Sequence, residues 1–363
     1  MIKGSPNGDI AGINLINRSK SAELLSSAST LIQSRLIQNS EDLLTPWSLS
    51  QPFAKTTKYK EASVIHVHAF YNLLNVRDFE KLLNSKKKIF ITLHDQRLFT
   101  GGCHYSRDCK RYIHECHSCP QSTHLGATLI ESAHRNMFKT LASRKDVTYV
   151  APSLWIKNMA LESSILSDSK IEVVRNPIPK EFFSQVKTSN EKKFRIGFVA
   201  QNLENPYKGL DTLINSFDKI STCLSSRIEL KLIGKSRIQY KNKNVDIKQR
   251  EIHSQHEMAM TLSGLDLVVI PSNQDNFPSV IGESLACGTR VIGTQVGGIP
   301  EALDIFGLPS FKPNDSKELA RLIESEVSVP QNKVDRQIAL REFSEENYAK
   351  RMLNLYKNSG EFE

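Results

Sequence analysis

Pro271-Ser-Asn-Gln-Asp275-Asn-Phe-Pro278-Ser-Val-Ile-Gly-Glu283-Ser-Leu-Ala-Cys-Gly288-Thr-Arg-Val-Ile292 is the densest signal in the chain. The apolar run Asp266–Pro271 reads as a buried strand that ends at Pro271. Pro278 suits the first turn of a helix, where its missing N–H is not needed. Gly288 suits the helix end, and a new strand, Arg290–Gly293, follows at once. Strand, loop, helix and strand in this order predict an α/β unit with a parallel sheet. The free N–H groups near Ser279 and Val280 then face the space beyond the strand ends. That is an anion site, and a diphosphate fits it. Glu283, one turn further in, is placed to accept hydrogen bonds from a ribose diol. Asp275, ahead of the helix, is placed to hold hydroxyls of an attached sugar.

Working outward, similar apolar, β-branched runs occur at Ser63–His68, Lys88–Leu93, Val147–Ala151, Ile171–Val174, Phe194–Ala200 and Ile228–Gly234. Helical stripes lie between them. Leu24, Leu25, Ala28, Leu31 and Ile32 mark Ser21–Ile37, and Leu210, Leu213, Ile214 and Phe217 mark Leu210–Ile220. The pattern breaks at Asn176-Pro177-Ile178-Pro179 and across Lys187–Lys193, where Pro and polar residues suit no element interior. This predicts an N-terminal Rossmann-like domain over 1–180 and a second over 190–343, with a cleft between them. A final helix over 344–363, striped by Tyr348, Met352, Leu355 and Tyr356, is expected to cross back to the first domain.

A chain of 363 residues with 39% hydrophobic and 24% charged residues is long enough for two real cores. That composition excludes a disordered, collagen-like or coiled-coil chain. No apolar run approaches the ~18 residues of a membrane span, and Met1–Lys20 lacks the apolar core of a secretory signal. The expectation is a cytoplasmic protein. Its charge is lopsided. Residues 1–180 hold 24 Lys+Arg against 15 Asp+Glu, a net of +9, whereas residues 181–363 hold 24 of each. A basic half suggests an anionic counterpart, such as the inner membrane surface, a lipid-phosphate carrier or nucleic acid. Nucleic acid fits poorly, because aromatic and basic residues do not interleave on one segment.

The quoted stretch resembles the family 4 retaining glycosyltransferases of the GT-B fold. Their hallmark is two acids separated by seven residues, leading into a helix that ends Ala-Cys-Gly. Here these are Asp275 and Glu283, then Ala286-Cys287-Gly288. The sugar-side acid is usually Glu in that family, so Asp275 is one methylene shorter. Phe198-Val-Ala-Gln-Asn-Leu-Glu-Asn-Pro-Tyr-Lys208-Gly209-Leu210 resembles the family's strand, loop and Lys-Gly helix start, which makes Lys208 a point charge on the diphosphate. Gln201 and Asn202 stand where family members often carry an arginine. Val296-Gly297-Gly298-Ile299-Pro300-Glu301 resembles the glycine turn before the next helix. The resemblance implies donor contacts from Lys208, Asn276, Phe277, Ser279, Val280, Glu283, Gly297 and Gly298, with Asp275 at the sugar.

In the first half, His66-Val-His68 puts two imidazoles on one strand face. Ile91-Thr92-Leu93-His94-Asp95 puts His94 at a strand C-terminus, where ligand sites of open α/β sheets gather. The resemblance matches His94 to the family's histidine near the donor sugar, a catalytic position. Asp95 orients it, contacts acceptor, or caps the loop. The Thr-Leu-His-Asp and Thr100-Gly101-Gly102-Cys103-His-Tyr segments look like the subgroup that builds colanic-acid-like exopolysaccharides, with Gly101 and Gly102 on the acceptor side. Cys103, Cys109, Cys116 and Cys119 follow as Cys-x5-Cys-x6-Cys-x2-Cys, a Cys-rich loop over 100–120. Four such thiols could form a structural Zn²⁺ site or stay free; a disulfide does not suit a reducing cytoplasm. Cys223 and Cys287 lie apart and read as buried small residues. The family normally opens with a strand and a glycine-rich loop. From Met1 to the helix at Ser21 only Gly4, Gly8 or Gly12 could be a remnant of it, so that strand is expected to be absent or strongly diverged.

The resemblance implies transfer of a sugar, with retention, from a nucleotide-diphosphate sugar to a saccharide or polyprenyl-diphosphate-linked acceptor. No cofactor is required for that catalysis, no nucleic acid is bound, and contact with an anionic membrane is peripheral. Alternatives are a nucleotide-sugar epimerase of the same fold, a zinc-stapled nucleic-acid binder, or an inactive, truncated relative of the transferase.

Overall fold

The computed structural model describes residues 31, 35, 44–46, 57–69, 74–185, 193–328 and 334–358 of the 363. The expected helix Ser21–Ile37 lies outside these apart from Leu31 and Arg35, as do the expected remnant glycines near the start and most of the polar break after Lys187. The chain forms two compact units. One runs to Val150 and includes Asn158–Glu172; the other comprises Ala151–Lys157 and Val173 onward.

The first unit is built on a four-stranded sheet of order β1-β2-β3-β4, with β1 Val64–Val67, β2 Lys88–Thr92, β3 Val147–Ala151 and β4 Lys170–Val173. β1, β2 and β3 are parallel neighbours. Ile89 to Thr92 and all of β3 are buried, which is why these strands read as unbroken apolar runs rather than alternating ones. The helix His124–Leu141 is capped by Thr123, whose hydroxyl accepts from Gly126 N. It buries Ile130, His134, Met137 and Leu141 along one stripe. This stripe backs the cysteine loop: a side chain at Gly101 would stand 2.3 Å from Ile130 Cγ2.

The second unit is built on a six-stranded sheet, parallel throughout, of order β10-β9-β8-β5-β6-β7. Its strands are β5 Phe194–Asn202, β6 Ile228–Lys235, β7 Asp246–Arg250, β8 Leu267–Ile270, β9 Arg290–Thr294 and β10 Ser310–Phe311. Side chains alternate across the sheet. Leu267 and Val269 join one core with Ile196, Phe198 and the helix Leu210–Phe217, while Val268 and Ile270 join another with Ile281 and Leu285 of the helix Ser279–Ala286. Both faces of this sheet are therefore covered, as in a doubly wound fold. The Pro-rich stretch 176–179 packs into this unit, with Ile178 donating its N–H to Phe343 O at 2.7 Å. The final helix runs Glu345–Asn358 and buries only Met352 of its stripe.

Two strands escape the sequence pattern. β7, Asp-Ile-Lys-Gln-Arg, alternates between exposed and half-buried residues at the sheet edge, where charges protect against further pairing. β10 has only two residues. Among the described residues no helix is long and apolar enough to cross a membrane.

Candidate functional site

The order β10-β9-β8-β5-β6-β7 reverses between β5 and β8. Chain leaving β5 continues to β6 and β7 on one side; chain leaving β8 continues to β9 and β10 on the other. In open parallel sheets the crevice at such a reversal, past the strand C-termini, is the usual ligand site. Lys208 and Asp275 both lie there, one after each strand.

Past β5 the chain makes a short turn, Pro206–Lys208, and then Gly209, whose φ of 69° favours glycine. A Cβ on Gly209 would stand 2.0 Å from Pro271 O, so only glycine lets this turn lie against the end of β8. Asn273 N donates to Tyr207 O at 2.7 Å and laces the two loops together. The result is a contact between Lys208 Nζ and Asp275 Oδ2 of 2.6 Å. The Asp275 side chain is 8% exposed and that of Lys208 30%. The two expected ligand contacts are thus each other's partners.

Asp275 and Asn276 are both buried, and the glycine pair holds them. Gly298 N donates to Asn276 O at 2.6 Å. Gly297 has a φ of 60°, and a Cβ there would fall 1.6 Å from Asp275 O. The close approach made by Gly297 is therefore to the acidic loop's own backbone. Ser153 Oγ and Asn276 Oδ1 are 2.9 Å apart, with Ser153 donating, a contact between residues 123 apart in sequence. Phe277 is buried in the apolar core beside the helix.

Pro278 occupies the cap position of the helix Ser279–Ala286, which has no side-chain cap. The N–H groups at Ser279 and Val280 are left for water or an anion. Glu283 is mostly buried and its carboxyl is pushed above the usual range by that burial, an effect opposed by a hydrogen bond from Ser279. Gly288 follows the helix with a φ of 79°. Sequence reasoning missed two neighbours: Asn273 Oδ1 and Gln274 Oε1 are buried acceptors without a protein donor. Polar residues in a Pro-Ser-Asn-Gln loop are the only sequence signal for them.

In the first unit, His94 follows β2, and its ring Nε2 lies 2.9 Å from His68 Nδ1. His66 lies against His68 with ring centroids 4.1 Å apart and the planes tilted by 37°, and its Nε2 lies 2.7 Å from Thr92 Oγ1. Burial, then the neighbouring rings His68 and His94, lower His66 to about 3. His68 is exposed on one side but shielded on its His66 and His94 sides, and is lowered to about 4. Burial also lowers His94, against the pull of Asp95.

Asp95 does not hydrogen-bond His94. Its Oδ1 accepts from Arg97 N at 2.9 Å, and its Oδ2 is 2.7 Å from His104 Nδ1. Burial raises its pKa, but the His104 contact and then Arg97 bring it below the ordinary range. Of the three sequence readings of Asp95, the geometry matches the loop-capping one. Gly101 and Gly102 are buried, and Gly102 O accepts from Thr45 N at 2.8 Å.

Cys103, Cys109, Cys116 and Cys119 are all free thiols lining one cavity. Cys287 is buried as expected; Cys223 is not. It is exposed, since the four-residue helix Thr222–Ser225 turns only Ser225 fully inward.

Residues 193–327 match the family described as glycosyl transferases group 1. A protein named as a colanic acid biosynthesis glycosyl transferase, WcaC of Escherichia coli (strain K12), is 24% identical over 287 residues, 73% of this chain and 68% of that protein. An uncharacterized glycosyltransferase of Methanocaldococcus jannaschii is 32% identical over 205 residues, 53% of this chain and 54% of its own length. Among solved structures, sucrose-phosphate synthase of Thermosynechococcus elongatus matches with a TM-score of 0.63 at 16% identity, over 96% of this chain and 81% of that one. HepE of Anabaena, solved in complex with UDP, matches with a TM-score of 0.58 at 14% identity, over 82% and 79%. At such identities the likeness shows the fold, two Rossmann-like α/β domains. Residues 193–327 thus match the group 1 glycosyl transferases, and the chain shares the GT-B fold of these solved structures.

Proposed function

We propose that the chain is a retaining glycosyltransferase that moves a sugar from a nucleotide-diphosphate sugar to a lipid-linked saccharide during surface polysaccharide assembly. The observation that carries the donor half of this reading is the Lys208–Asp275 pair, set beyond β5 and β8 beside an uncapped helix start. An ammonium and free N–H groups stabilise negative charge, and a departing nucleoside diphosphate gathers charge as its bond to the sugar breaks. Lys208, Ser279 and Val280 hold the diphosphate. Glu283 accepts from the ribose diol, and Asp275 from hydroxyls of the sugar. Asn276, Phe277, Gly297 and Gly298 shape that loop. In a retaining reaction on one face of the sugar, the departing phosphate oxygen takes the acceptor proton, so no strong protein base is needed. His94 positions the sugar or stabilises charge at the anomeric centre. HepE has been solved with UDP-glucose, which favours a nucleotide-sugar donor. The net +9 over residues 1–180 favours a phosphate-bearing lipid carrier and peripheral contact with an anionic membrane.

The test is thermal stability of the purified protein against UDP, GDP, ADP, TDP and CMP, with Glu283→Ala alongside. A ligand at about 100 times its dissociation constant stabilises by roughly 2.7 kcal/mol. One nucleotide should shift the wild type and not the variant. Sugar donors of that base, followed by NMR of the anomeric proton in the product, then test retention. Conversion of the donor without any acceptor would instead favour an epimerase, and no shift with any nucleotide would overturn the donor site.

A further inference from the structure

The stretch 100–123 is held by little regular structure: a single 3-10 turn, Arg111–Ile113, interrupts it. Irregular segments of this length inside a compact domain are uncommon, and those that are ordered are usually functional. This one carries four of the chain's six cysteines. Their side chains line one cavity of about 20 Å³, closed from below by Gly101 and Ile130. That volume admits one water-sized occupant, not a metabolite.

Three features of the cluster suit a metal better than idle thiols. First, the backbone beside two of the sulfurs is pinned: Ser122 donates through its N–H and its hydroxyl to Cys119 O, and the Thr100 hydroxyl donates to Cys103 O at 3.0 Å. Such bonds fix where these two thiols stand. Second, Ser118 within Cys116-x-x-Cys119 takes a φ of 43° and Arg107, before Cys109, a φ of 54°. Left-handed residues are costly for a side chain, and here one stands in each of two segments whose cysteines line the cavity. Third, Arg111 lines the same cavity and supplies a positive charge beside it. The nearby imidazoles are not competing donors. His104 contacts Asp95 through Nδ1 and Thr45 through Nε2, His114 is exposed, and His117, which also lines the cavity, is exposed and contacts Glu115 O through Nδ1.

We propose that Cys103, Cys109, Cys116 and Cys119 bind one Zn²⁺ tetrahedrally, as a structural staple of the loop that follows His94. Four sulfur ligands leave no open position, so the ion has no part in sugar transfer. Among the described residues no three His, Cys, Asp or Glu side chains already stand ready to hold a metal. The thiols surround the cavity without closing on its centre, and binding draws them inward and stiffens the loop.

The experiment is zinc content by atomic emission of the full-length protein, purified without chelator, beside Cys116→Ser/Cys119→Ser and Cys223→Ser. About one zinc per chain is expected in the wild type and in Cys223→Ser, falling at least tenfold in the double variant. Should the double variant fail to fold, the folded wild type supplies the second readout. Exposed Cys223 should react promptly with a thiol reagent, and four more thiols should react only as a mercurial releases one zinc to a colorimetric indicator. Wild-type protein that contains no zinc and takes up none from added Zn²⁺ after reduction overturns the proposal. So does a mass lowered by disulfide formation, or full zinc retained in a folded double variant.

Discussion

His68 Nδ1 and His94 Nε2 share a 2.9 Å hydrogen bond, so one ring donates and the other accepts. Both imidazoles are held neutral by their surroundings, and the contact therefore fixes the tautomer of His94 rather than its charge. His68 is a positioning residue for His94 on this reading.

Removing that contact should act on turnover and spare donor binding. His68→Ala is expected to lower kcat roughly tenfold, because a slightly misplaced His94 loses part of what positioning at the sugar supplies. The nucleotide-induced rise in melting temperature should be unchanged. His68→Asn, whose amide can stand near the position of Nδ1, should recover part of the loss. Steady-state kinetics and thermal shifts on both variants check this; equal losses in the two would point to a structural role for His68.

The same cluster predicts acid sensitivity. The folded pKa values of His66, about 3, and His68, about 4, lie below the unfolded value near 6.5. Above pH 6.5 the rings are neutral in both states and cost nothing. As the pH falls from 6.5 toward 4, the unfolded chain takes up protons that the folded chain refuses, so stability is lost. Glu283 works in the opposite direction, because its raised pKa favours the fold at lower pH. Melting temperature measured from pH 7.5 to 4.5 should fall less steeply in His66→Asn/His68→Asn than in the wild type.

The strands that carry the site were readable because a sheet covered on both faces leaves continuous apolar runs, as in Val147–Ala151 and Leu267–Ile270. The edge strand Asp246–Arg250 was not, since its charges face water and break that pattern. Individual site residues were readable by type and spacing, but their pairings were not. His66 and His68 were seen to share a face. Yet it is the parallel register, Val67 opposite Ile91, that brings His68 within reach of His94. Likewise Lys208 and Asp275 each read as ligand contacts, and only the meeting of β5 and β8 makes them a pair 67 residues apart. Ser153 had no local signal, because its partner Asn276 comes from the far end of the chain.

Breaking the Lys208–Asp275 pair should cost stability even without ligand. In Lys208→Met the Asp275 carboxylate, 8% exposed, loses its cation, and a buried charged acceptor stripped of its partner costs roughly 1–3 kcal/mol. Asp275→Asn leaves Lys208, 30% exposed, free to reach water and should cost less. Urea denaturation without nucleotide orders the two. Lys208→Met should also abolish the nucleotide-induced thermal shift, since the diphosphate has lost its point charge.

Gly297 and Gly307 form a matched pair that separates backbone strain from the packing of the acidic loop. Both lie in the left-handed region, with φ of 60° and 61°. Alanine at either should cost the left-handed penalty, roughly 1–2 kcal/mol. At Gly307 nothing lies within 4 Å of the added carbon, so the cost should end there. At Gly297 the added carbon would fall 1.6 Å from Asp275 O, and the carbonyl of a buried residue must move to admit it. Moving that carbonyl displaces the Asp275 side chain from Lys208. Gly297→Ala should therefore be the less stable variant in urea and should lose the nucleotide-induced shift, which Gly307→Ala keeps. Equal stability and equal nucleotide response in the two would mean that the Asp275–Asn276 loop yields freely, and that Gly297 is no part of what holds the donor site in shape.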